Sequence, residues 1–174
     1  MKISVIVTNY NYEKWLRRCI RSLINQSFDD YEIIIIDDYS TDNSRNILLE
    51  YQDIDKIKLV FNKSNVGVGC SSTIGAKKAT GKYIVRVDAD DYVHNDFLKC
   101  LYLWASFNNS HAVACDYQGR IWRNRPNILW KNKVHEVLMG YKEHTYLPAE
   151  EQFSFYHPKT IDRQEKQNLF YEEI

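Results

Sequence analysis

No stretch of this sequence approaches the length of a transmembrane helix. The apolar run at its start, Met1-Lys2-Ile3-Ser4-Val5-Ile6-Val7-Thr8, is too short for a secretory signal. Net charge is absent too: 23 basic residues balance 23 acidic ones. That balance argues against a general binder of nucleic acid or of anionic membranes. The four cysteines, Cys19, Cys70, Cys100 and Cys115, form no CxxC pair and no metal-like cluster. They read as small buried apolar residues of a reducing, cytoplasmic compartment. Glycine is missing where a phosphate cradle would need it. The turn after the first apolar run is Thr8-Asn9-Tyr10-Asn11, and Gly67-Val68-Gly69 is followed by Ser72 where a dinucleotide fingerprint would place its third glycine. No GxxxxGK[ST] loop is present either. Any phosphate is therefore expected to be held through a metal rather than by a glycine loop.

What is there is an alternation of apolar runs and amphipathic stretches. At 174 residues the chain reads as one domain with room for a substantial core. Ile3 to Val7 is a β-branched run. Trp15, Leu16, Cys19, Ile20, Leu23 and Ile24 then recur at helical spacing, with Arg17, Arg18 and Arg21 on the opposite face. Tyr31 to Ile36 is apolar on both faces, as a central parallel strand is. Ser40 or Thr41 is placed to cap a helix carrying Ile47, Leu48 and Tyr51 inward. Ile57 to Phe61 is a third strand, and a helix from about Ser71 to Ala79 stops at Gly81. Tyr83 to Val87 is a fourth strand, followed by a helix capped by Asn95 and carrying Phe97, Leu98 and Leu101. This series predicts an α/β fold: a mainly parallel sheet with right-handed crossovers, flanked by helices.

In such sheets ligands bind at the carboxyl ends of the strands. Three polar clusters fall there: Thr8-Asn9-Tyr10, Asp37-Asp38 and Asp88-Ala89-Asp90. The last continues into Asp91, so a core strand ends in three carboxylates. On an extended backbone Asp88 and Asp90 point the same way while Asp91 turns aside. Neighbouring carboxylates repel unless a cation offsets them, and Mg²⁺ or Mn²⁺ takes one or two carboxylates plus water and phosphate oxygens. A solvated turn or helix cap is the plainer alternative for each cluster alone. Tyr10 can stack on a base, and Asp38 can accept a base N–H or a ribose hydroxyl, so a nucleoside diphosphate suits the set.

The segments Ser4-Val5-Ile6-Val7-Thr8-Asn9-Tyr10-Asn11, Ile36-Asp37-Asp38-Tyr39-Ser40-Thr41-Asp42, Asn65-Val66-Gly67, Ala79-Thr80-Gly81-Lys82-Tyr83-Ile84 and Asp88-Ala89-Asp90-Asp91 together resemble the family-two glycosyltransferases. The resemblance covers roughly the first hundred residues in order and spacing. It implies the Rossmann-like GT-A fold, a nucleoside-diphosphate sugar donor (UDP-linked being favoured), transfer to a glycan or other hydroxyl acceptor with inversion, and a Mn²⁺ or Mg²⁺ cofactor. Carried over by position, Thr8, Tyr10 and Asp38 contact the nucleoside, Asp88 lies by the ribose or metal, and Asp90 binds the metal. One stretch departs: the family's usual Ala-Arg-Asn-x-Gly reads Ser71-Ser72-Thr73-Ile74-Gly75 here.

The last third is less regular. Ala112 to Cys115 reads as a strand. Arg120-Ile121-Trp122-Arg123, Trp130 and Val134-His135-Glu136 follow, and these resemble a subset of the same family that acts in bacterial cell-surface and lipopolysaccharide glycosylation. In that reading Glu136 is the general base, with Asp91, Glu150 and Glu151 as rivals, and His135 closes the site beside it. Trp130, Trp122 and Arg123 are candidates for acceptor or diphosphate contact. The expected division is a single minimal domain over 1–174, with a nucleotide-sugar-binding half at 1–110 and an acceptor or closing half at 111–174. Only 43 residues separate Asp91 from His135, so a small acceptor pocket, or one completed by a second subunit of a homo-oligomer, is expected. The alternatives are a non-catalytic nucleotide-sugar-binding module and a sugar nucleotidyltransferase, the latter lacking its glycine-rich basic loop here.

Overall fold

The computed structural model describes residues 1–107 and the strand segments 112–115, 118–123, 129–131, 137–139 and 144–146. Strand β1 (Ile3–Asn9) leads into helix α1 (Glu13–Ile24), then β2 (Tyr31–Asp37), α2 (Ser44–Leu49), β3 (Ile57–Phe61), α3 (Val68–Lys78), β4 (Tyr83–Asp88) and α4 (Phe97–Phe107). Five further strands follow: β5 (Ala112–Cys115), β6 (Gln118–Arg123), β7 (Leu129–Lys131), β8 (Val137–Met139) and β9 (His144–Tyr146). The main sheet has the order β3-β2-β1-β4-β6-β5-β9, and β7 and β8 form a separate antiparallel pair. From β3 to β4 neighbours run parallel, β6 is antiparallel to both β4 and β5, and β9 is parallel to β5.

β1 and β2 lie inside the sheet and every residue of both is buried. This is why they read as unbroken apolar runs rather than alternating ones. The period-2 alternation splits their side chains between two layers. Ile3, Val5, Val7, Ile33, Ile35, Val85 and Val87 join Leu16, Cys19, Ile20 and Leu23 of α1 and Phe97, Leu98 and Leu101 of α4 in the larger core. Each such large side chain contributes about 1.5–3 kcal/mol by leaving water. Ile6, Ile34, Ile36 and Ile84 form the smaller layer on the other face, against Ala76 and Ala79. Gly75 lets α3 lie close to that face, because a Cβ there would stand 2.7 Å from Ile6 Cγ2 and 2.8 Å from Ile36 Cδ1.

Several local expectations shift. Helix α2 begins at Ser44, not beside Ser40 or Thr41; Ser44 N donates to Asp42 Oδ1 at 2.9 Å. Ser40 is used elsewhere, since its Oγ accepts from Asn9 Nδ2 and Asn11 N, both at 3.0 Å. Helix α4 starts from Asp96, whose carbonyl accepts from Cys100 N, while the Asn95 carbonyl accepts from Ser27 N. Helix α3 begins three residues earlier than expected, directly after Gly67 at φ 84°. Cys70, expected to be buried, is exposed in the first turn of that helix, whereas Cys19 is buried as expected. No helix among the described residues is long and apolar enough to cross a membrane.

Candidate active site

The register brings the three polar clusters to one edge. Thr8 pairs with Asp88 on one side and Ile36 on the other, and Asn9 pairs with Asp37. Asn9 Nδ2 donates to Asp37 Oδ1 at 2.8 Å, and Asp38 N donates to the Asn9 carbonyl at 2.8 Å. The two loops beyond these strands are stitched together. Asn11 Oδ1 accepts from Thr41 N at 2.8 Å and Asp42 N at 3.3 Å, and Asp42 Oδ2 accepts from Glu13 N at 2.9 Å. Burial works to raise the Asp42 carboxyl. Hydrogen bonds from Ser44 and the Glu13 amide outweigh it and hold the group below its usual range.

Asp38 is 3% exposed. Its Oδ1 accepts from Asn62 Nδ2 at 2.8 Å and Val66 N at 2.9 Å, and its Oδ2 accepts from Gly67 N at 2.8 Å. Its carboxylate thus clamps the loop of residues 62–67, which explains in physical terms why Asp37-Asp38 and Asn65-Val66-Gly67 occur in one chain. Asn62 Nδ2 also reaches Ser71 Oγ at 3.0 Å. Tyr10 stands at the same edge with its side chain in solvent, 43% exposed.

The acidic turn differs from the extended arrangement assumed for it. Strand β4 ends at Asp88, and Asp91 N turns back to the Asp88 carbonyl at 3.0 Å. Strand alternation therefore ceases at Asp88 and does not carry on to Asp90. The Asp88 side chain is 39% exposed and its Oδ1 accepts from Arg86 Nε at 3.1 Å and Nη2 at 2.7 Å. A cation offsetting Asp88 is thus already in the chain. It was readable: Arg86 and Asp88 are two apart on one strand and share a face. Asp90 and Asp91 are each 4% exposed. Helix α1 supports the turn from beneath. Arg18 Nη2 donates to the Asp90 carbonyl at 3.5 Å while its guanidinium lies over Tyr92 and Trp15, and Cys19 Sγ donates to the Asp88 carbonyl at 3.5 Å. Burial first, then the charges of Asp91, Asp88 and Asp90, push the Cys19 thiol far up.

The donors available to a metal at this turn are carboxylate oxygens. Among the described residues no three His, Cys, Asp or Glu side chains close on one point. That donor set does not make a closed zinc-type cage. It fits a hard ion that takes one or two carboxylates and completes its shell with water and phosphate oxygens.

Four candidates, Glu136, His135, Glu150 and Glu151, lie outside the described residues. Arg123 and Trp122 fall on β6 and Trp130 on β7. In the Ser71-Ser72-Thr73-Ile74-Gly75 stretch, Ser71 and Ser72 are fully buried, and Ser72 Oγ has no hydrogen-bond partner among the described residues. Lys77 and Lys78 are exposed in the last turn of α3.

Glycosyl transferase family 2 matches residues 4–169, and the chain belongs to that family. An uncharacterised glycosyltransferase of Nostoc sp. is 47% identical over 93 residues, 52% of this chain and 29% of the relative. The poly(ribitol-phosphate) beta-N-acetylglucosaminyltransferase TarS of Staphylococcus aureus is 30% identical over 142 residues, 80% of this chain and 25% of TarS. The solved structure of TarS residues 1–349 in complex with UDP superimposes with a TM-score of 0.62 at 31% identity, covering 66% of this chain and 35% of that one. A mannosyltransferase from Pyrobaculum calidifontis, solved with GDP-Man and Mn²⁺, shares the fold at a TM-score of 0.61 and 22% identity, covering 66% of this chain and 35% of that one. The fold is the GT-A, nucleotide-sugar transferase type. The chain spans well under half the length of each of these relatives.

Proposed function

We propose that this chain carries the donor-binding and catalytic domain of a metal-dependent, inverting glycosyltransferase that takes its sugar from a UDP-sugar. The observation that carries the reading is the register: Thr8 beside Asp88, and Asn9 beside Asp37, at the carboxyl edge of a parallel sheet in a family-2 chain. The UDP complex of TarS supports the choice of nucleotide.

In this reading Thr8 and Tyr10 meet the nucleoside. Asp38, both of whose oxygens already accept hydrogen bonds, acts by fixing the 65–67 loop at the donor edge. Mn²⁺ or Mg²⁺ held by Asp88 and Asp90 would neutralise the departing diphosphate. Arg86 shares the charge of Asp88 and keeps that carboxylate oriented. Glu136 takes the proton of the acceptor hydroxyl as its oxygen attacks the face opposite the leaving group. Asp91, which like Asp90 is 4% exposed, is the rival base. His135, Arg123 and Trp130 contact the acceptor or diphosphate, and residues 111–174 close over the donor half at 1–110, alone or with a second copy. The free thiols of Cys19, Cys70 and Cys100 suit a reducing, cytoplasmic setting.

A second reading is a domain that binds the donor without transferring sugar. It draws on Ser72, a short buried side chain where the family's usual stretch has arginine. Incubation with a panel of nucleotide sugars, with Mn²⁺ or with EDTA, separates the two. Transfer predicts Mn²⁺-dependent release of one nucleoside diphosphate, abolished by Asp90→Ala and by Glu136→Gln. Binding of UDP with no release from any donor, with or without an acceptor glycan, would refute transfer and leave the binding module.

A further inference from the structure

Two residues other than glycine have a positive φ among the described residues: Asn11 at 59° and Tyr39 at 65°. They sit on the neighbouring loops that follow β1 and β2. Asparagine enters the left-handed region readily, whereas a bulky side chain there is an outlier. At Asn11 the conformation is offset locally, because the side chain accepts from Thr41 N and Asp42 N. Tyr39 has no such compensation. Its side chain is 49% exposed and makes no hydrogen bond or ring contact among the described residues.

The backbone at this position has a clear task. It turns so that the Asp38 carboxylate stays inside against residues 62–67 while Ser40 N returns to Asp37 Oδ2 at 3.2 Å. Glycine would make that turn without steric cost. The turn therefore accounts for the conformation but not for the ring. Tyr10 follows Asn9, Tyr39 lies two residues beyond Asp37, and Asn9 and Asp37 are register partners. Two solvent-facing phenol rings thus rise from adjacent strand ends at the candidate donor edge. Strain retained at such an edge, in a residue whose side chain supports nothing in the fold, is characteristic of a ligand contact.

We propose that Tyr39 is a second aromatic contact for the nucleobase of the donor, presented beside Tyr10. The assignment rests on the donor-binding reading of this edge. An aromatic face stacks on any planar base, so Tyr39 sets how tightly the nucleoside is held rather than which base is chosen.

The test measures UDP and UMP affinity by titration, and ligand-free Tm, for Tyr39→Gly, Tyr39→Asn and Tyr39→Phe. Gly and Asn both accept the left-handed backbone, so neither depends on strain being tolerated. Both are expected to weaken UDP and UMP by a similar factor, about tenfold, with Tm unchanged or raised. Tyr39→Phe keeps the ring and is expected to bind as wild type. Wild-type affinity in the Gly and Asn variants would overturn the inference. So would a Tm that falls together with affinity, which marks a structural support, or weakening of UDP but not of UMP, which places the ring at the diphosphate. A wild-type protein that binds neither nucleotide would overturn the donor reading itself.

Discussion

The two ends of the parallel sheet carry the same kinds of residue and use them in opposite ways. On the α3 face both central strands begin polar and turn apolar: Ser4 then Ile6 on β1, Glu32 then Ile34 and Ile36 on β2; β1 ends polar again at Thr8. At the amino end Glu32 is buried, with a partner on each oxygen. Its Oε1 accepts from Ser4 Oγ at 2.6 Å, Thr80 N at 2.8 Å and Thr80 Oγ1 at 2.7 Å, while Lys58 Nζ stands 2.6 Å from Oε2 as an ion pair rather than an aligned hydrogen bond. Burial alone would raise this carboxyl; Lys58, Ser4 and Thr80 together bring it down to about 2. At the carboxyl end Asp88 has one oxygen on Arg86 and a side chain open to solvent. A carboxylate with every partner supplied by the fold is a fastener, and one left half-open beside a backbone turn is available to a ligand.

The sharpest break in this comparison is expected at Asp88. Asp88→Asn keeps the shape and removes the charge, and should lower metal-dependent donor turnover by at least about 100-fold with little change in Tm. Steady-state release of nucleoside diphosphate and a melting curve check both halves. The mirror case is Glu32→Ala. Removing this buried carboxylate strands the Ser4 and Thr80 donors and should cost about 3 kcal/mol, read as a lower urea midpoint, while turnover per folded molecule is retained. Gly81→Ala should follow, at about 1–3 kcal/mol, because its Cβ would sit 2.6 Å from Ser4 N and 2.7 Å from the Ile3 carbonyl carbon. A smaller effect is expected in acid. The folded pKa of Glu32 lies below its ordinary 4.5, so its contribution is complete above about pH 4.5 and is lost as pH falls towards 2. That part of the decline in Tm should be missing from Glu32→Gln. Last comes the surface pair Arg17–Glu50; Arg17→Ala should leave Tm where it was.

Much of the carboxyl edge was legible from sequence because strand ends are marked by abrupt polar residues after β-branched runs. The runs ending at Val7, Ile36, Phe61 and Val87 marked β1 to β4 and their order along the chain; β1, β2 and β4 extend one or two residues further, and β3 ends where expected. The amino end was not legible. Glu32 sits in a run that reads as apolar on both faces, and its role shows only where β3 brings Lys58 and the α3–β4 turn brings Thr80. The Ala79-Thr80-Gly81 stretch supported a resemblance, but only tertiary structure shows its reason: Thr80 binds Glu32 and Gly81 N donates to Ser4 Oγ at 2.8 Å. Asp38 shows the same limit at the other end. Its side-chain type suggested a nucleoside contact, while its three loop partners come from residues 24 to 29 positions away. Helix α2 was misplaced because Ser40 and Thr41, good caps by type, are claimed by Asn9 and Asn11 across the loop.

The central claim is that the carboxyl edge binds a nucleoside diphosphate through a metal at the Asp88 turn. Calorimetric titration of UDP into the wild-type protein and Asp88→Asn, each with Mn²⁺ and with EDTA, tests it most directly. The account predicts tight binding only in the wild type with Mn²⁺, and weak binding in the other three conditions. Equal UDP affinity in all four would contradict it.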